Sequence, residues 1–594
     1  MRFLGYSGFD RSVSFKRARF PNLATREYRI VQGLDSAVAL VDEGGVRFAA
    51  AEERFSGAKS TGAFPTGAIR ACLHYARLDP DAIDVVAHAF AYDCVKSLYD
   101  HDEFSRAQYA EVYDPALQHE YLRSHVADID WASRFVAVPH HLAHAASAFY
   151  QSGFTESLIL VSDGMGETQS ATVLVGSDSG LSTVASVPAF HSIGVLYSVF
   201  TLYLGFAFNM DEYKVMGLAP YGDERRYFSR IMDLVRLGAD GTYSIPFFAE
   251  DRTLEEQQTH RGMLRALTEM FGPPREPEGQ MEQRFVDLAA ALQAVLQTCQ
   301  LHVLGHFAES TGARNLCMAG GVALNCTVNG VVRRSRLFDD VFVQPASGDD
   351  GAALGAALYV RHEREPSAPR ARTAPPLWGP GYDAGAIESA VRATDGSYEV
   401  CRFESFEELA TEVARRIDGG EILGWFQGRM EFGPRALGNR SILADPRAPD
   451  MRDRVNSLVK KRESFRPFAP AVAAETAAEY FEIDGGDERT YEHMLFTMPV
   501  RPAWRDRLPA ITHVDGSARL QTVSRAGNER FWMLLQAFGR ITGIPMLLNT
   551  SFNVRGQPIV CTPQEAIETF LLAGLDALAI DDLLLLPSRR KVVS

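Results

Sequence analysis

The sequence is poor in the features that mark secreted proteins, zinc ribbons and membrane proteins. Its seven cysteines are scattered through 594 residues, and none forms a Cys-x-x-Cys pair. This excludes a zinc ribbon and a disulfide framework, and it indicates a reducing compartment. No apolar run approaches the length of a membrane span, and the segment 1–7 is too short for a signal sequence. These absences predict a cytoplasmic protein that is not bound to a membrane.

An excess of positive charge is also missing. Lys and Arg total 60 against 75 Asp and Glu, which leaves a net charge of −15. A broad nucleic-acid interface is therefore disfavoured, while local basic pockets and cationic small molecules remain compatible with this surface. Hydrophobic residues at 46% and charged residues at 23% are average values, and they exclude wholesale disorder, collagen and a coiled coil. The length predicts several domains.

Two similar strand–turn–strand units indicate an internal duplication in the N-terminal part of the chain. The first covers 35–51, and the second begins with the apolar strand 158–161 and continues through 171–176. Helical segments follow each unit, most clearly the periodic apolar pattern over 285–310. We therefore predict paired α/β lobes that face each other across a cleft.

A proline-rich stretch separates this part from the rest of the chain. Between about residues 363 and 381, five prolines lie among Arg, Ala and Ser residues. This composition is typical of a linker. The sequence therefore predicts one domain over 1–365 and a further α/β domain over 382–594.

Two histidines with helical spacing are the first candidate metal ligands. His140 and His144 follow Pro139 in an alanine-rich segment, and four residues apart on a helix they project on one face. A zinc-protease motif would need a glutamate where this chain has His141. Asp349, before a helical run, can supply a third ligand, and this set suits Fe(II) or a similar divalent ion. A hydrogen-bonded histidine cluster and a helix-capping aspartate remain the alternatives.

Three glycine-bearing turns can let backbone N–H groups approach a phosphate or an adenine ring. They lie at 163–167, 214–222 and 319–325. None matches a P-loop or a dinucleotide-binding fingerprint, and an isolated glycine turn is most often only a turn. Their order along the chain, with acidic and histidine residues between strand-ending loops, is more informative than any one of them.

Basic residues of the C-terminal region stand among Gly, Pro and Phe and not in a solvated lysine run. They occur in 433–441 and 459–470, and further donors follow near predicted strand ends in 519–523 and 548–556. Guanidinium groups in this setting favour structured anion binding in a partly closed pocket, and a small phosphate fits it. A solvated basic face remains the alternative.

Five motifs occur in one order along the chain. They are His-His-Leu-Ala-His (140–144), Ala-Gly-Gly-Val-Ala-Leu-Asn (319–325), Gly-Pro-Arg-Ala-Leu-Gly-Asn-Arg-Ser (433–441), Arg-Pro-Phe-Ala-Pro (466–470) and Leu-Asn-Thr-Ser-Phe-Asn (548–553). In this order they resemble the family of nodulation and antibiotic-tailoring O-carbamoyltransferases over nearly the whole chain. The resemblance implies a mixed α/β fold with a duplicated actin/hexokinase-like, Kae1-type N-terminal domain and a YrdC-like C-terminal domain.

The resemblance also implies a reaction in two stages. Carbamoyl phosphate and ATP would form a carbamoyl adenylate in the C-terminal domain, and the N-terminal domain would transfer the carbamoyl group to a hydroxyl of a small natural product. The implied cofactors are ATP, carbamoyl phosphate as co-substrate and a divalent metal, Fe(II), with Mg²⁺ as a further candidate beside ATP. The hydroxylated acceptor is the expected partner, without nucleic acid or membrane, and a homodimer is compatible with the sequence.

Matching positions in the motifs assign residues to these roles by resemblance. His140, His144 and Asp349 would hold the metal. The adenylate site would be lined by Asp163, Gly164, Gly166, Lys214, Gly320, Gly321 and Asn325. Carbamoyl phosphate would be held by Arg435, Lys460, Arg466, Arg519 and Ser551.

The chain departs from the family pattern before the first unit. Where many relatives carry Gly-His-Asp-Ala-Ser, this chain has Gly-Leu-Asp-Ser-Ala over 33–37, so Leu34 replaces a histidine that is often given a role in transfer. The preceding stretch 10–29 carries six basic residues and is expected to reshape the acceptor pocket. We predict that Asp35 or another residue near the metal takes the place of the histidine, so that Asp35, His140 and His144 are the candidate catalytic residues.

Two other functions stay open at this point. Threonylcarbamoyl-adenylate chemistry directed at tRNA would use both domain types, although the net charge of −15 argues against a tRNA surface. A non-catalytic nucleotide-binding scaffold would show degenerate metal and phosphate motifs, whereas those of this chain are complete. The acidic balance favours a cationic acceptor.

Overall fold

The computed structural model describes residues 1–370, 372, 375–394, 398–460, 463, 465–483 and 488–588, without the side chains of Lys460 and Glu488. The chain divides into two compact units, Met1–Glu53 with Ser60–Thr373 and Arg54–Lys59 with Ala374–Ser594. The second unit thus takes in the segment Arg54–Lys59 of the N-terminal sequence, which a linear boundary near the proline-rich stretch does not predict.

Strands and helices alternate in the first unit. Its strands are β1 (Phe3–Tyr6), β2 (Ala37–Asp42), β3 (Gly45–Ala51), β4 (Val85–His88), β5 (Phe135–Ala137), β6 (Ser157–Ser162), β7 (Gln169–Ser177), β8 (Gly180–Pro188), β9 (Arg236–Leu237), β10 (Tyr243–Ser244), β11 (Asn315–Ala319) and β12 (Asp340–Val343). Its helices, with α2 at the border of the two units, are α1 (Ser12–Arg19), α2 (Glu53–Ser56), α3 (Thr66–Ala76), α4 (Glu103–Gln108), α5 (Pro115–His125), α6 (His140–Ser152), α7 (Ile193–Tyr203), α8 (Glu212–Leu218), α9 (Phe228–Met232), α10 (Leu254–Thr259), α11 (Arg261–Phe271), α12 (Gln283–Thr311), α13 (Cys326–Ser335) and α14 (Asp349–Arg364).

Two five-stranded sheets of the first unit share one topology. Their strand orders are β3-β2-β1-β4-β5 and β8-β7-β6-β11-β12. In each sheet the first three strands in chain order pair antiparallel, and the last two are added in parallel on the other side of the first. The turn between β2 and β3 requires a left-handed backbone, which Gly45 supplies with φ +97°. The duplication predicted for the N-terminal domain is therefore confirmed.

Helices α6 and α14 pack against each other and on the two repeated sheets. Helix α14 contacts β1, β2 and β4, while α6 contacts β6 and β11. The helices approach closely because Gly355 has no side chain: a Cβ there would lie 1.7 Å from the carbonyl oxygen of Ala143. A Cβ at Gly5 of β1 would likewise lie 2.0 Å from the carbonyl oxygen of Ala353. This packing fixes the positions of His140 and Asp349, with which the two helices begin.

One helix in the described part of the chain is long and apolar enough to span a membrane. It is α12, with a window of mean hydropathy 1.2, of which 67% is buried inside the protein. Core helices of soluble proteins have the same length and composition. The prediction that no apolar stretch approaches the length of a membrane span is therefore corrected for α12.

The second unit is built on one nine-stranded mixed sheet. Its strands are β13 (Tyr398–Arg402), β14 (Leu423–Phe426), β15 (Arg440–Ala444), β16 (Ala469–Ala473), β17 (Phe496–Pro499), β18 (Ser517–Val523), β19 (Met546–Ser551), β20 (Ala577–Ile580) and β21 (Leu583–Pro587), in the order β13-β21-β20-β14-β15-β19-β16-β18-β17. Its helices are α15 (Ala384–Ala393), α16 (Phe406–Asp418), α17 (Met451–Val455), α18 (Ala477–Tyr480), α19 (Pro502–Arg505), α20 (Glu529–Thr542) and α21 (Pro563–Ala573). With the first unit, this confirms the mixed α/β class.

The core of the second unit lies where α16 and α20 cover the sheet. Apolar residues of both helices, such as Leu409 and Phe538, join Trp425, Leu443 and Leu547 of the strands in one buried cluster. The helices bury one apolar face each, as their sequence periodicity requires.

A buried lysine in the basic stretch 10–29 makes the stability of the first unit depend on pH. Lys16 of α1 donates from Nζ to the carbonyl oxygens of Ile30, at 2.7 Å, and Gln258. Burial lowers the pKa of Lys16 from 10.5 to about 7, against a smaller opposite effect of Glu27. Between these values the unfolded chain binds more protons than the folded one, so the free energy of unfolding rises with pH, by at most about 1.4 kcal/mol per pH unit.

Replacing Lys16 by Met should remove this rise. Urea unfolding of both proteins at several pH values between 7 and 10 measures it, because contributions from other groups cancel in the difference. We expect the variant to be the more stable protein near pH 7, with the difference shrinking as the pH increases. A difference that is constant over this window would contradict the prediction.

Candidate functional site

Two histidines and two aspartates of the first unit converge at the start of α6 and α14. The Nε2 atoms of His140 and His144 are 3.0 Å apart. His140 Nε2 lies 3.4 Å from a carboxylate oxygen of Asp163 and 3.4 Å from one of Asp349. One ligand atom from each of the four residues lies within 4.8 Å of the others, and both histidines are fully buried. The predicted set of His140, His144 and Asp349 is thus brought together, and Asp163 joins it.

The orientation of His140 fits a ligand role. Its Nδ1 lies 3.0 Å from the carbonyl oxygen of Ala89, an acceptor, so Nδ1 carries a proton and Nε2 faces the cluster. The ring stacks on Phe90 with centroids 4.1 Å apart. Two imidazole nitrogens and two carboxylates are a donor set that divalent ions such as Fe(II) prefer. The residues therefore fit the metal that the sequence resemblance implies.

The electrostatics of the cluster point the same way. Burial alone would lower the pKa of His140, but the carboxylates of Asp349 and Asp163 raise it well above its usual value. Burial would raise the pKa of Asp163 and of Asp349, yet the neighbouring imidazoles, above all His140, lower both. The two carboxylates stay charged and attract a positive charge, which a divalent ion supplies in place of protons.

Glu167 holds the start of α6 and was missed by the sequence analysis. Its carboxylate accepts hydrogen bonds from the backbone N–H of His140, at 2.9 Å, and of Ala91, at 2.8 Å. A carboxylate at this end of a helix satisfies otherwise unpaired N–H groups and interacts favourably with the helix dipole. Glu167 ends the same turn that begins with Asp163, so one loop supplies a ligand and positions another. An acidic residue at both ends of a glycine turn was the available signal.

Backbone groups of the turn 319–325 hold Asp163 in place. The N–H of Gly321 donates to Oδ1 of Asp163 at 2.7 Å. Gly320 has φ +89°, and a Cβ there would lie 2.3 Å from the carbonyl oxygen of Ser162. Two of the three predicted glycine turns therefore meet at Asp163, and Gly320 is needed for conformation and close approach alike.

Two glycines of the turn 163–167 differ in their surroundings. A Cβ at Gly166 would lie 3.0 Å from the ring of His141, so this glycine makes room for a buried side chain. A Cβ at Gly164 would meet nothing within 4 Å. The ring of His141 lies outside the metal-ligand set, with Nδ1 2.6 Å from Oγ1 of Thr172, and burial lowers its pKa to about 3.

Lys214 and Asn325, also predicted to line the adenylate site, make contacts within the fold. Nζ of Lys214 lies 3.1 Å from a carboxylate oxygen of Asp211 and above the ring of Phe206. Asn325 caps α13, since Oδ1 accepts from the N–H of Val328 at 3.1 Å. Its amide also exchanges two hydrogen bonds with that of Gln293. Both side chains therefore have a structural role where they stand.

The segment that lacks the family histidine lies near the cluster. Leu34 is buried, with 7% of its surface exposed, and offers no proton acceptor. Asp35 adopts φ +62°, and burial, with a further contribution from Glu53, raises its pKa to about 6. Asp349 is among the charges that raise this pKa, so the two carboxylates are neighbours. The charge of Asp349 thus acts on Asp35, and a catalytic role of Asp35 in place of the histidine stays a prediction.

The register of the second unit brings three predicted anion ligands to one edge of its sheet. Strand β19 pairs with β16 through Asn549 and Ala469, so Ser551 lies beyond the first residue of β16. Arg466 precedes this strand at the same edge. The parallel pairing of β16 and β18 places Arg519 beside Ala469. Arg466, Arg519 and Ser551 therefore share this edge.

The loop with Arg435 lies over the same part of the sheet. The carbonyl oxygen of Ala436 accepts from Nδ2 of Asn549 at 3.2 Å, and that of Leu437 accepts from Nε2 of Gln521 at 2.9 Å. These two amides belong to the strands that end in Ser551 and carry Arg519. Four of the five predicted carbamoyl-phosphate ligands thus lie in one region of the unit, while the side chain of the fifth, Lys460, is outside the described residues.

Arg440 belongs to the same motif but has a structural role. It is fully buried, and its guanidinium donates to the carbonyl oxygens of Gln427, Gly428 and Asn439. It lies 3.6 Å above the ring centroid of Phe426. Burial lowers its pKa. The second arginine of this motif therefore supports the loop and is not available to a ligand.

Comparison with known families decides which family this is. Residues 31–358 match the family description "Carbamoyltransferase N-terminus", and residues 414–586 match "Carbamoyltransferase C-terminus". The chain belongs to the carbamoyltransferase family. The candidate metal ligands of this carbamoyltransferase lie within the first matched region. The edge with Arg466, Arg519 and Ser551, the predicted anion edge, lies within the second.

Relatives of known sequence support the assignment. This carbamoyltransferase is 42% identical over 558 residues to "Nodulation protein NolNO" of Sinorhizobium fredii, an alignment that covers 93% of this chain and 78% of the relative. It is 44% identical over 443 residues to "Nodulation protein NolO" of Bradyrhizobium diazoefficiens, with 74% and 77% covered. The solved structure of full-length HypF in the phosphate- and nucleotide-bound form shares 16% identity at TM-score 0.30, covering 62% of this chain and 56% of that one, which is too weak to carry an argument.

Proposed function

We propose that this carbamoyltransferase is an ATP-dependent O-carbamoyltransferase, which converts carbamoyl phosphate to a carbamoyl adenylate and transfers the carbamoyl group to a hydroxyl of a small natural product. The observation that carries the proposal is the convergence of His140, His144, Asp163 and Asp349, which fits a divalent ion, beside two glycine turns. A cation next to backbone N–H groups suits a phosphate-bearing intermediate. Membership of the carbamoyltransferase family indicates that the transferred group is carbamoyl.

Each predicted group has a task in this reaction. A divalent ion held by the four ligands, Fe(II) by preference, would stabilise negative charge on a bound oxygen. Gly164 would present its backbone N–H group to the adenylate, while the N–H of Gly321 holds Asp163 in place. Lys214, which pairs with Asp211, would add a positive charge near the adenylate. Asp35 would accept the proton of the acceptor hydroxyl, because it is a buried carboxylate under the electrostatic influence of Asp349 and is not itself in the ligand set.

The anion edge of the second unit would bind carbamoyl phosphate. This dianion needs several fixed donors, and guanidinium groups provide them in pairs. Arg435, Arg466 and Arg519 would contact the phosphate, and Lys460 is a further donor by sequence. The hydroxyl of Ser551, which donates to Oδ1 of Asn553 at 2.7 Å, would exchange this hydrogen bond for one to the phosphate. Such an arrangement gains its effect from positioning and charge stabilisation, as phosphoryl transfer requires.

The remaining expectations concern the setting of the enzyme. We propose a cytoplasmic enzyme that acts on a small hydroxylated acceptor, such as an antibiotic, toxin or sugar, and that binds neither nucleic acid nor a membrane. The net charge of −15 favours a cationic acceptor. A non-catalytic scaffold is disfavoured because it would have no need to keep four ligands together.

A direct assay tests this function. The protein, loaded anaerobically with Fe(II), is incubated with ATP, Mg²⁺, labelled carbamoyl phosphate and a panel of hydroxylated natural products. We expect an acceptor that gains about 43 mass units, the replacement of hydrogen by CONH₂ on oxygen. We also expect AMP, pyrophosphate from ATP and phosphate from carbamoyl phosphate to form together, and only when carbamoyl phosphate is present. Labelled carbamoyl phosphate that is left untouched under these conditions would overturn the proposal.

The same assay tests Asp35. In Asp35→Asn, transfer to the acceptor should fall by about 10²–10⁴-fold, the range for a lost general base, while carbamoyl-phosphate-dependent ATP consumption continues. A wild-type transfer rate in this variant would remove Asp35 from the reaction.

A further inference from the structure

Glu431 precedes the loop 433–440, which carries Arg435, and its side chain binds backbone groups of that loop. It has 3% of its surface exposed, and a single carboxylate oxygen, Oε1, accepts three backbone hydrogen bonds. These come from the N–H groups of Leu437, at 2.8 Å, Asn439, at 2.8 Å, and Arg440, at 3.1 Å. Hydrogen bonds to an ionised acceptor are about twice as strong as neutral ones. One side chain therefore binds three backbone N–H groups in the C-terminal half of this loop.

The other side of the same loop is held through its carbonyl oxygens. Gly433 accepts from the guanidinium of Arg54 at 3.0 Å, and Gly438 accepts from Nε1 of Trp425 at 2.8 Å. Between them, the carbonyl oxygens of Ala436 and Leu437 accept from strand amides, as described above. The loop is thus fixed by side chains from several parts of the second unit.

Backbone geometry makes the loop dependent on these bonds. Gly433 and Gly438 have φ +112° and +104°, a region that other residues rarely adopt. A Cβ at Gly438 would lie 2.1 Å from the ring of Phe531. Two such glycines allow many alternative loop conformations in the absence of restraint. Because Arg435 lies between these two glycines, its position depends on the interactions that select one conformation of the loop.

We propose that Glu431 is a positioning residue of the anion site: it fixes the loop 433–440 so that Arg435 meets the phosphate of carbamoyl phosphate. The carboxylate does not touch the dianion, which it would repel. Its effect is indirect, through the three N–H groups that it binds. This inference rests on the proposed function, since it takes carbamoyl phosphate as the ligand of this edge.

The test measures the dissociation constants of carbamoyl phosphate and of ATP by calorimetry on the full-length protein. For Glu431→Gln we expect carbamoyl phosphate to bind at least about tenfold more weakly, because the amide oxygen that replaces Oε1 accepts the three hydrogen bonds without a negative charge, while the ATP constant stays unchanged. Glu421→Gln is the matched control, because Glu421 lies on the surface of the same unit and pairs with Arg416. It should bind carbamoyl phosphate like the wild type.

A double-mutant cycle separates positioning from a general structural effect. In an Arg435→Ala background, Glu431→Gln should weaken carbamoyl phosphate binding no further, because its effect passes through Arg435. Additive losses would overturn the proposal, as would wild-type affinity in folded Glu431→Gln. If that variant does not fold, Glu431→Asp, which keeps the charge but shortens the side chain, is measured in the same cycle and should show an intermediate loss. Failure of both variants to fold would overturn the assignment by making Glu431 a stability residue.

The outcome is distinguishable from failure of the proposed function. Wild-type protein that binds no carbamoyl phosphate would contradict the function itself. Wild-type protein that binds it, together with an unaffected Glu431→Gln variant, would contradict only the role of Glu431.

Discussion

Replacing Asp163 by Asn should weaken binding of a divalent ion by at least about 100-fold, more than is typical when a residue that only supports a ligand is lost. The substitution keeps the shape of the side chain but removes one of the two negative charges that face His140 and His144. Carbamoyl transfer should fall at least as steeply. Metal competition with a graded series of chelators, followed by elemental analysis, measures the first effect, and the acceptor assay measures the second.

Asp178→Asn serves as the control for this experiment. The side chain of Asp178 is 83% exposed and pairs with Arg370 at the surface of the same unit, so its loss should leave metal affinity and transfer unchanged. The experiment also separates two roles for Asp163. If Asp163→Asn kept its metal and lost only ATP affinity, the carboxylate would serve the adenylate, as the family resemblance implies, and the ligand set would be reduced to three.

Replacing Gly355 by Ala should destabilise the first unit by about 3 kcal/mol, the upper end of the usual cost of overpacking. The added Cβ would overlap the carbonyl oxygen of Ala143, which is backbone and cannot rotate away. Helix α14 would have to move from α6, and Asp349 would move with it from His140. We expect a lower unfolding temperature, by several degrees, together with weaker metal binding, as measured by calorimetry with and without the ion.

Gly305→Ala is the matched control, for which we expect the opposite change in stability. Gly305 lies inside α12, and a Cβ there would meet nothing within 4 Å. Alanine should therefore stabilise this helix by about 0.5–1 kcal/mol through its higher helix propensity. An unfolding temperature of Gly355→Ala equal to that of the wild type would show that α6 and α14 can separate without cost, against the close contact described here.

The duplicated topology could be predicted from the sequence because it is written in local patterns. The strand–turn–strand units at 35–51 and 158–176 each combine apolar runs with a glycine turn, and such signals depend on neighbouring residues alone. The inclusion of Arg54–Lys59 in the second unit could not be predicted in this way. Membership of a compact unit depends on contacts far apart in the chain, and this short segment has no composition that reveals them.

The candidate metal centre could be predicted only in part, because only part of it depends on local geometry. His140 and His144 are one helical turn apart, so local geometry alone puts them on one face. The family resemblance assigns Asp163 to the adenylate by its matching position in the motif. Its carboxylate joins the histidines because β6 ends beside α6, a relation between elements that the linear sequence does not contain. Glu167 was missed for the same reason.

The sequence by itself determined the helical pair of histidines, the duplicated strand units and the motifs that identify the family, since each is a short-range pattern of residue types. Only the tertiary structure decided which side chains share a site. It brings Asp163 to the candidate metal ligands, shows that Asn325 caps a helix, and brings Glu431 within hydrogen-bond distance of the loop that carries Arg435. The reason is physical: hydrogen bonds and ion coordination act over about 3 Å in space, and only folding brings residues so far apart in the chain within that reach.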